Sequence, residues 1–249
     1  MIDIHAHILP GMDDGPASIE ESLAICRMAA ADGIKNIVAT PHIYPGIYNN
    51  GKKNILERVG QLNRLAREAG IAIEILPGAD IRLTPELFLQ IENGDLIGIN
   101  NTSYLLIELP QILPVKCAEL VFDLKAKGYT PIISHPERNY DIQRNPDRLR
   151  RLIDSGALAQ LTAMSLTGGF GYKAKRSAKS LLEQGLIHII ATDTHSPDKR
   201  PPILSRAVRM AGRIVGEDVA YSMVYNTPMR IAGIPSMIQE RLNRCTMSH

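Results

Sequence analysis

The chain opens "MIDIHAHILPGMDDG", which sets His5, His7, Asp13 and Asp14 within its first fourteen residues. Side chains alternate across a strand, so residues i and i+2 point the same way. If "MIDIH" is a strand, His5 and His7 aim at one spot where it runs out, and two converging imidazoles are a metal-ligand geometry. The same spacing returns late in the chain in "ATDTH", with Asp193 and His195. Between these pairs, further nitrogen and oxygen donors end short apolar runs: His42, Asp80, Glu108 and His135. With Asp14 they make nine candidates, and five of the seven histidines are among them. A zinc site typically takes about four ligands, so nine exceed the needs of one ion. Two or three divalent ions, with one carboxylate bridging, would use them, and mixed imidazole and carboxylate donors suit Mn²⁺, Fe²⁺ or Zn²⁺.

The elements that must position these residues follow from the apolar pattern. "MIDIH" precedes "SIEESLAICRMAAADG", where Ser18 and Glu21 form a capping box and Gly33 supplies the stop. "IKNIVATPH" leads into the loop "IYPGIYNNG", then a helix over about 53–69. "IAIEILPGADI" is followed by a short helix opened by Thr84-Pro85, and "YLLIEL" by a helix over about 115–127. "TPIISHPER" precedes a helix opened by Asn145-Pro146. "ALAQLTAMS" runs into the loop "LTGGFG", then a helix over about 174–184, then "LIHIIATDTH". Residues from about 203 to 243 read as helical throughout. Seven strand–helix alternations argue for parallel βαβ units, with strands covered on both faces because their apolar runs are continuous. In a parallel α/β barrel the C-terminal strand ends share one rim, where active sites sit. The nine candidates fall on six of these seven ends, and only "ALAQLTAMS" offers no ligand. No repeat, linker or boundary divides the chain, so one domain over 1–249 is expected.

Two arginines stand close behind the candidate ligands. Arg138 follows His135 by three residues, and Arg200 follows His195 by five. Guanidinium binds phosphate bidentately, so beside a metal cluster the pair points to a phosphoryl substrate.

Composition narrows the choice. The 28 basic residues nearly balance the 26 acidic ones, with no basic stripe for nucleic acid. Cys26, Cys117 and Cys245 are odd in number and widely spaced, as for reduced thiols in the cytoplasm. No signal peptide and no apolar run of ~18 residues is seen, so neither secretion nor a membrane span is expected. Enzymes that take a phosphoryl group onto a cysteine thiolate need an Arg six residues after the Cys. Cys26 and Cys117 have Asp32 and Asp123 there, and Cys245 lies too near the end, so no thiol is the nucleophile.

The stretches "DIHAHILPGMDDGP", "ATPH", "PGADIR", "LLIELP", "SHPERN", "SLTGGFG" and "ATDTHS", in this order, resemble the polymerase-and-histidinol-phosphatase (PHP) metal-dependent hydrolases. Within that superfamily the resemblance is to the bacterial protein-tyrosine phosphatases of capsule and exopolysaccharide operons. It implies a distorted (β/α)7 barrel with two or three metal ions, usually Mn²⁺. The implied ligands are His5, His7, Asp14, His42, Asp80, Glu108, His135, Asp193 and His195, with Arg138 and Arg200 gripping phosphate. It further implies hydrolysis of phosphotyrosine on proteins, with the tyrosine-rich tail of a bacterial tyrosine kinase as substrate. The carboxylate that bridges metals after the third strand is usually Glu in that family, and here it is Asp80. Two other enzymes fit the same pattern: a phosphatase for histidinol phosphate or another small phosphomonoester, and a metal-dependent nuclease that also begins with HxH.

Overall fold

In the computed structural model, which describes residues 1–114 and 116–235, strands and helices alternate along most of the chain. The strands are β1 (Ile2–Ala6), β2 (Asn36–Ala39), β3 (His42–Tyr44), β4 (Tyr48–Asn49), β5 (Glu74–Pro77), β6 (Asp80–Arg82), β7 (Tyr104–Glu108), β8 (Thr130–Ser134), β9 (Leu158–Thr162) and β10 (Ile189–Ala191). The helices are α1 (Ile19–Ala31), α2 (Lys52–Glu68), α3 (Leu87–Glu92), α4 (Cys117–Ala126), α5 (Tyr140–Arg144), α6 (Asp147–Asp154), α7 (Ala163–Thr167), α8 (Gly171–Glu183), α9 (Ser205–Val215), α10 (Glu217–Ser222) and α11 (Asn226–Ile231).

The strands pair as two sheets, β1-β2-β5 and β10-β9-β8-β7-β6-β3-β4, with every pairing parallel except that of β3 with β4. The two sheets are one architecture, because two of its strands are broken. Thr40-Pro41 separates β2 from β3, and Gly78-Ala79 separates β5 from β6. Pro41 has no N–H to give a ladder. A Cβ on Gly78 would lie 2.8 Å from Cγ1 of Val38, so only glycine lets the chain pass there. Counting each broken strand once and setting aside β4, the short antiparallel partner of β3, gives seven parallel strands, as the alternation predicts. A bridge between Ala6 and Thr194 sets the first strand beside the chain leaving the last, with Asp193 N–H donating to the His5 carbonyl and His7 N–H to that of Thr194, each at 2.8 Å. The fold is the expected distorted α/β barrel.

Most strand interiors are apolar on both faces, whereas β1 and β9 carry the buried Asp3, His5 and Gln160. Ile4, Ile37, Ile81, Leu106, Ile132 and Ile189 are completely buried, inside the ring or under the surrounding helices. The Ser18 cap accepts from Glu21 N–H at 3.3 Å, while the Glu21 carboxylate reaches back to Ala17 N–H at 2.8 Å, one residue before the box expects. The chain turns at Gly33 with φ +91°, open to glycine without strain. Two segments read as loops carry structure. Residues after His42 form the β3–β4 hairpin, and the start of "LTGGFG" completes α7, which ends at Gly168. The expected C-terminal helical stretch is three helices up to Ile231, and its part beyond 235, with Cys245, lies outside the described residues. Among the described residues no helix is long and apolar enough to cross a membrane.

Candidate metal centre

All nine candidate ligands come together on the rim. Eight form three overlapping groups, His7–Asp14–His42–His195, His5–His7–Asp193 and His42–Asp80–Glu108, whose donor atoms lie within 4.8 Å of one another. The ninth, His135, holds Nε2 4.0 Å from Asp80 and 3.9 Å from Glu108. Donors on one ion at ~2.0–2.2 Å sit roughly 3–3.5 Å apart. Observed separations match: His5 Nε2 to His7 Nε2 is 3.1 Å, His5 Nε2 to Asp193 Oδ1 3.3 Å, His195 Nε2 to Asp14 Oδ1 3.4 Å and His42 Nδ1 to Asp80 Oδ2 3.5 Å.

The protonation pattern calls for a cation. His5 Nδ1–H donates to Oε1 of Gln160 at 2.8 Å, and His7 Nδ1–H to Oδ2 of Asp13 at 2.6 Å. Each donation leaves the Nε2 lone pair facing inward, and the two lone pairs oppose each other at 3.1 Å. Burial pushes the imidazoles of His5 and His7 down to about 3 and about 4, so they are neutral near pH 7, and it likewise pushes His135 well down. Burial, then Glu108 and Asp193, push the Asp80 carboxyl well above the ordinary carboxylate range. Its Oδ2 is buried with no hydrogen-bond partner. Opposed lone pairs and an orphaned carboxylate oxygen in one place fit divalent ions.

Asp193 joins this cluster to the arginines. Oδ1 faces His5, His7 and His195 at 3.3–3.6 Å, while Oδ2 accepts from Nη2 of Arg138 at 2.5 Å and pairs with Nη2 of Arg200 at 2.7 Å. Burial works against this carboxylate, but Arg138, His5 and Arg200 outweigh it and hold its pKa well below the usual range. Both guanidinium groups stack on Phe170, at 4.7 and 5.3 Å from the ring centre. Asp193 and His135 adopt left-handed backbone, with φ of +54° and +35°. Such strain in non-glycine residues gathers where a side chain must be aimed.

Several supporting residues are silent in the sequence. Asp13 accepts from His7, from His42 N–H at 3.0 Å and from Gly15 N–H at 2.9 Å, so it fixes two ligands at once. Its only signal was its place beside Asp14. The sixth barrel strand does contribute: Gln160 of β9 orients His5, and a glutamine inside "ALAQLT" was the available hint. Asp3, on the same face of β1 as His5, accepts from Thr192 N–H at 3.0 Å and from the Thr192 hydroxyl. His188 lies away from the rim, its Nδ1 accepting from Ala159 N–H at 3.1 Å. Cys26 and Cys117 are buried with thiols pushed up to about 12 and about 11, so neither is a nucleophile.

Ligand support of this kind is worth about 10–100-fold in metal affinity. Where a divalent ion fills the cluster, Asp13→Ala therefore raises the Mn²⁺ concentration for half-saturation of the protein by roughly that factor. A Mn²⁺ titration unchanged by the substitution would make Asp13 only a turn residue.

A seven-stranded α/β barrel with imidazoles, carboxylates and two arginines on its C-terminal rim defines a metallohydrolase type of site. Comparison with known proteins makes the assignment specific: residues 1–232 match the family described as capsular polysaccharide synthesis, CpsB/CapC, and the chain belongs to that family. It is 38% identical over 230 residues to the tyrosine-protein phosphatase YwqE of Bacillus subtilis (strain 168), covering 92% of this chain and 91% of that one. It is 38% identical over 207 residues to the putative tyrosine-protein phosphatase CapC of Staphylococcus aureus, covering 83% and 81%. A crystal structure from work on YwqE of Bacillus subtilis and CpsB of Streptococcus pneumoniae, described as unique metal-dependent tyrosine phosphatases, superposes with a TM-score of 0.90 at 37% identity, covering 95% and 96%.

Proposed function

We propose that this protein is a metal-dependent protein-tyrosine phosphatase, acting as one domain on phosphotyrosine of a polypeptide, with a bacterial tyrosine kinase as the physiological substrate. The observation that carries the reading is the single carboxylate of Asp193 shared by the histidine cluster and the arginine pair, since a phosphoryl group held by the arginines then lies against the metal centre. The named activity of the relatives supports it.

In this reading His5, His7, Asp14, His42, Asp80, Glu108, His135, Asp193 and His195 hold two or three divalent ions, with Mn²⁺ suited to their mixed donors. When bound, such ions acidify water and offset charge on phosphoryl oxygens. Arg138 and Arg200 bind and orient the phosphoryl group, and their charge answers the charge that grows on its oxygens. Phe170 keeps both guanidinium groups in place between turnovers. Asp13 and Gln160 keep the protons of His7 and His5 on Nδ1, so each Nε2 stays a donor pair toward the metals. Tyrosine leaves as a phenolate with a pKa near 10, which asks little of a general acid.

An assay in Mn²⁺ comparing a phosphotyrosine peptide, the matching phosphoserine peptide and histidinol phosphate tests the reading. The phosphotyrosine peptide is hydrolysed with the highest kcat/KM, by at least about tenfold. Preference for histidinol phosphate would move the assignment to a small-molecule phosphatase.

A further inference from the structure

The chain is nearly neutral, with a formal net charge of +2, yet the charged residues of one groove on it are all basic. A cavity of about 530 Å³ between α5 and α8 is lined by Tyr140, Gln143, Arg144, Lys173, Arg176 and Ser177 among others, none of them acidic. Arg144, Lys173 and Arg176 are exposed, and no carboxylate of the described residues lies within 4.0 Å of any of them. The nearby acids are already taken: Asp141 pairs with Arg148 at 3.0 Å, Asp147 with Arg150 at 3.5 Å and Glu183 with Lys179 at 3.5 Å. Arg144 is held in place, donating from Nη1 to the Tyr140 hydroxyl at 2.8 Å with its guanidinium 5.4 Å from that ring. The larger cavity beside β3, by contrast, mixes Lys52 and Lys53 with Glu57 and Asp95 and has no single sign.

Both helices of the groove begin beside the arginine side of the rim. α5 begins two residues after Arg138, and α8 begins directly after Phe170, on which Arg138 and Arg200 stack. Two residues of chain and one turn of helix put the Cα of Arg144 at most roughly 13 Å from that of Arg138. An extended peptide covers that span in about four residues.

We propose that this groove binds an acidic segment of the polypeptide substrate, two to four residues from the phosphotyrosine. The proposal rests on the phosphatase reading. Carboxylates there meet three cations that have no carboxylate partner among the described residues, and the three draw the substrate in through a long-range field that salt screens. The groove thus favours phosphotyrosines in acidic sequence over the same residue in neutral sequence.

Two phosphotyrosine peptides of equal length, one with glutamates and one with alanines at the flanking positions, test this against the Mn²⁺-loaded wild type and the variant K173E/R176E. The readout is the ratio of kcat/KM for the acidic over the neutral peptide in each enzyme, from which any general loss of activity cancels. In the wild type the ratio is about five to ten at low salt and falls toward one at ~0.5 M salt; in the variant it is one or below. Equal rates on the two peptides in the wild type, or a preference that survives charge reversal, overturn the groove and leave the phosphatase reading standing. Hydrolysis of neither peptide overturns both. Co-sedimentation with anionic phospholipid vesicles that the variant loses, without any peptide preference, would make the groove a membrane-facing surface and overturn the proposal.

Discussion

Asp80→Asn lowers phosphotyrosine hydrolysis by about 100-fold or more while leaving the metal-free protein at least as stable as the wild type. The side chain is completely buried. Its Oδ1 accepts from the Ser134 hydroxyl at 3.2 Å, and an amide oxygen keeps that contact. Its Oδ2 has no hydrogen-bond partner and stands 3.6 Å from His5 Nε2, 3.5 Å from His42 Nδ1 and 4.0 Å from His135 Nε2. Without metal this carboxylate suffers burial and the proximity of Glu108 and Asp193, as its raised pKa records, so the neutral isostere relieves the apo protein. With metal the sign reverses, because the amide withdraws a negative charge from the centre of the donor set. Thermal melting with and without Mn²⁺ separates the two states: an ion bound at ~100 times its Kd stabilises the wild type by about 2.7 kcal/mol, and the variant gains less. Asp80→Glu, which installs the residue usual in the resembled family, keeps metal binding and changes activity or metal preference by a few-fold, since one extra methylene moves an oxygen that must sit at ~2.0–2.2 Å from its ion. An Asp80→Asn protein with wild-type rate and full metal content would reduce Asp80 to a structural residue.

Arg200→Ala raises KM by about ten- to a hundredfold, lowers kcat and leaves the metal count unchanged. Charge-assisted hydrogen bonds are worth ~1.5–3 kcal/mol, which sets that range. The Arg200 side chain touches the cluster only through Oδ2 of Asp193, which Arg138 still holds at 2.5 Å, and its backbone carbonyl, which accepts from His195 N–H at 3.1 Å, is kept in the variant. Inhibition by inorganic phosphate weakens in parallel, because the same contact is lost for product as for substrate. Arg200→Lys does not restore the wild type, as an ammonium lacks the planar fork. Arg138→Ala behaves alike, with a larger effect if its shorter contact to Asp193 also holds that carboxylate in line. Unchanged kinetics in either variant would make that arginine a surface residue.

The cluster was legible because its members, apart from Asp14 in the loop after β1, mark the places where apolar runs stop. A parallel barrel brings those places to one rim, so one-dimensional punctuation becomes a three-dimensional site. His5 and His7, or Asp193 and His195, needed only strand alternation. The breaks at Thr40-Pro41 and Gly78-Ala79 were not legible. They depend on close approach between chains, as at Gly78 and Val38, and no periodicity reports that. The supporting shell was hidden for a similar reason: Gln160 and His5 are 155 residues apart, and a single hydrogen bond leaves no pattern in either neighbourhood. Phe170 sat in what read as a loop, and its role appears only when two arginines from distant segments converge on one ring.

Activity that depends on bound metal is tested most directly by measuring metal content and activity on one sample. Protein stripped with a chelator, dialysed and assayed on a phosphotyrosine peptide has no activity above background, and added Mn²⁺ restores it in step with two or three ions bound per chain by elemental analysis. Full activity in the stripped protein, or restored activity with no ion bound, would contradict that dependence.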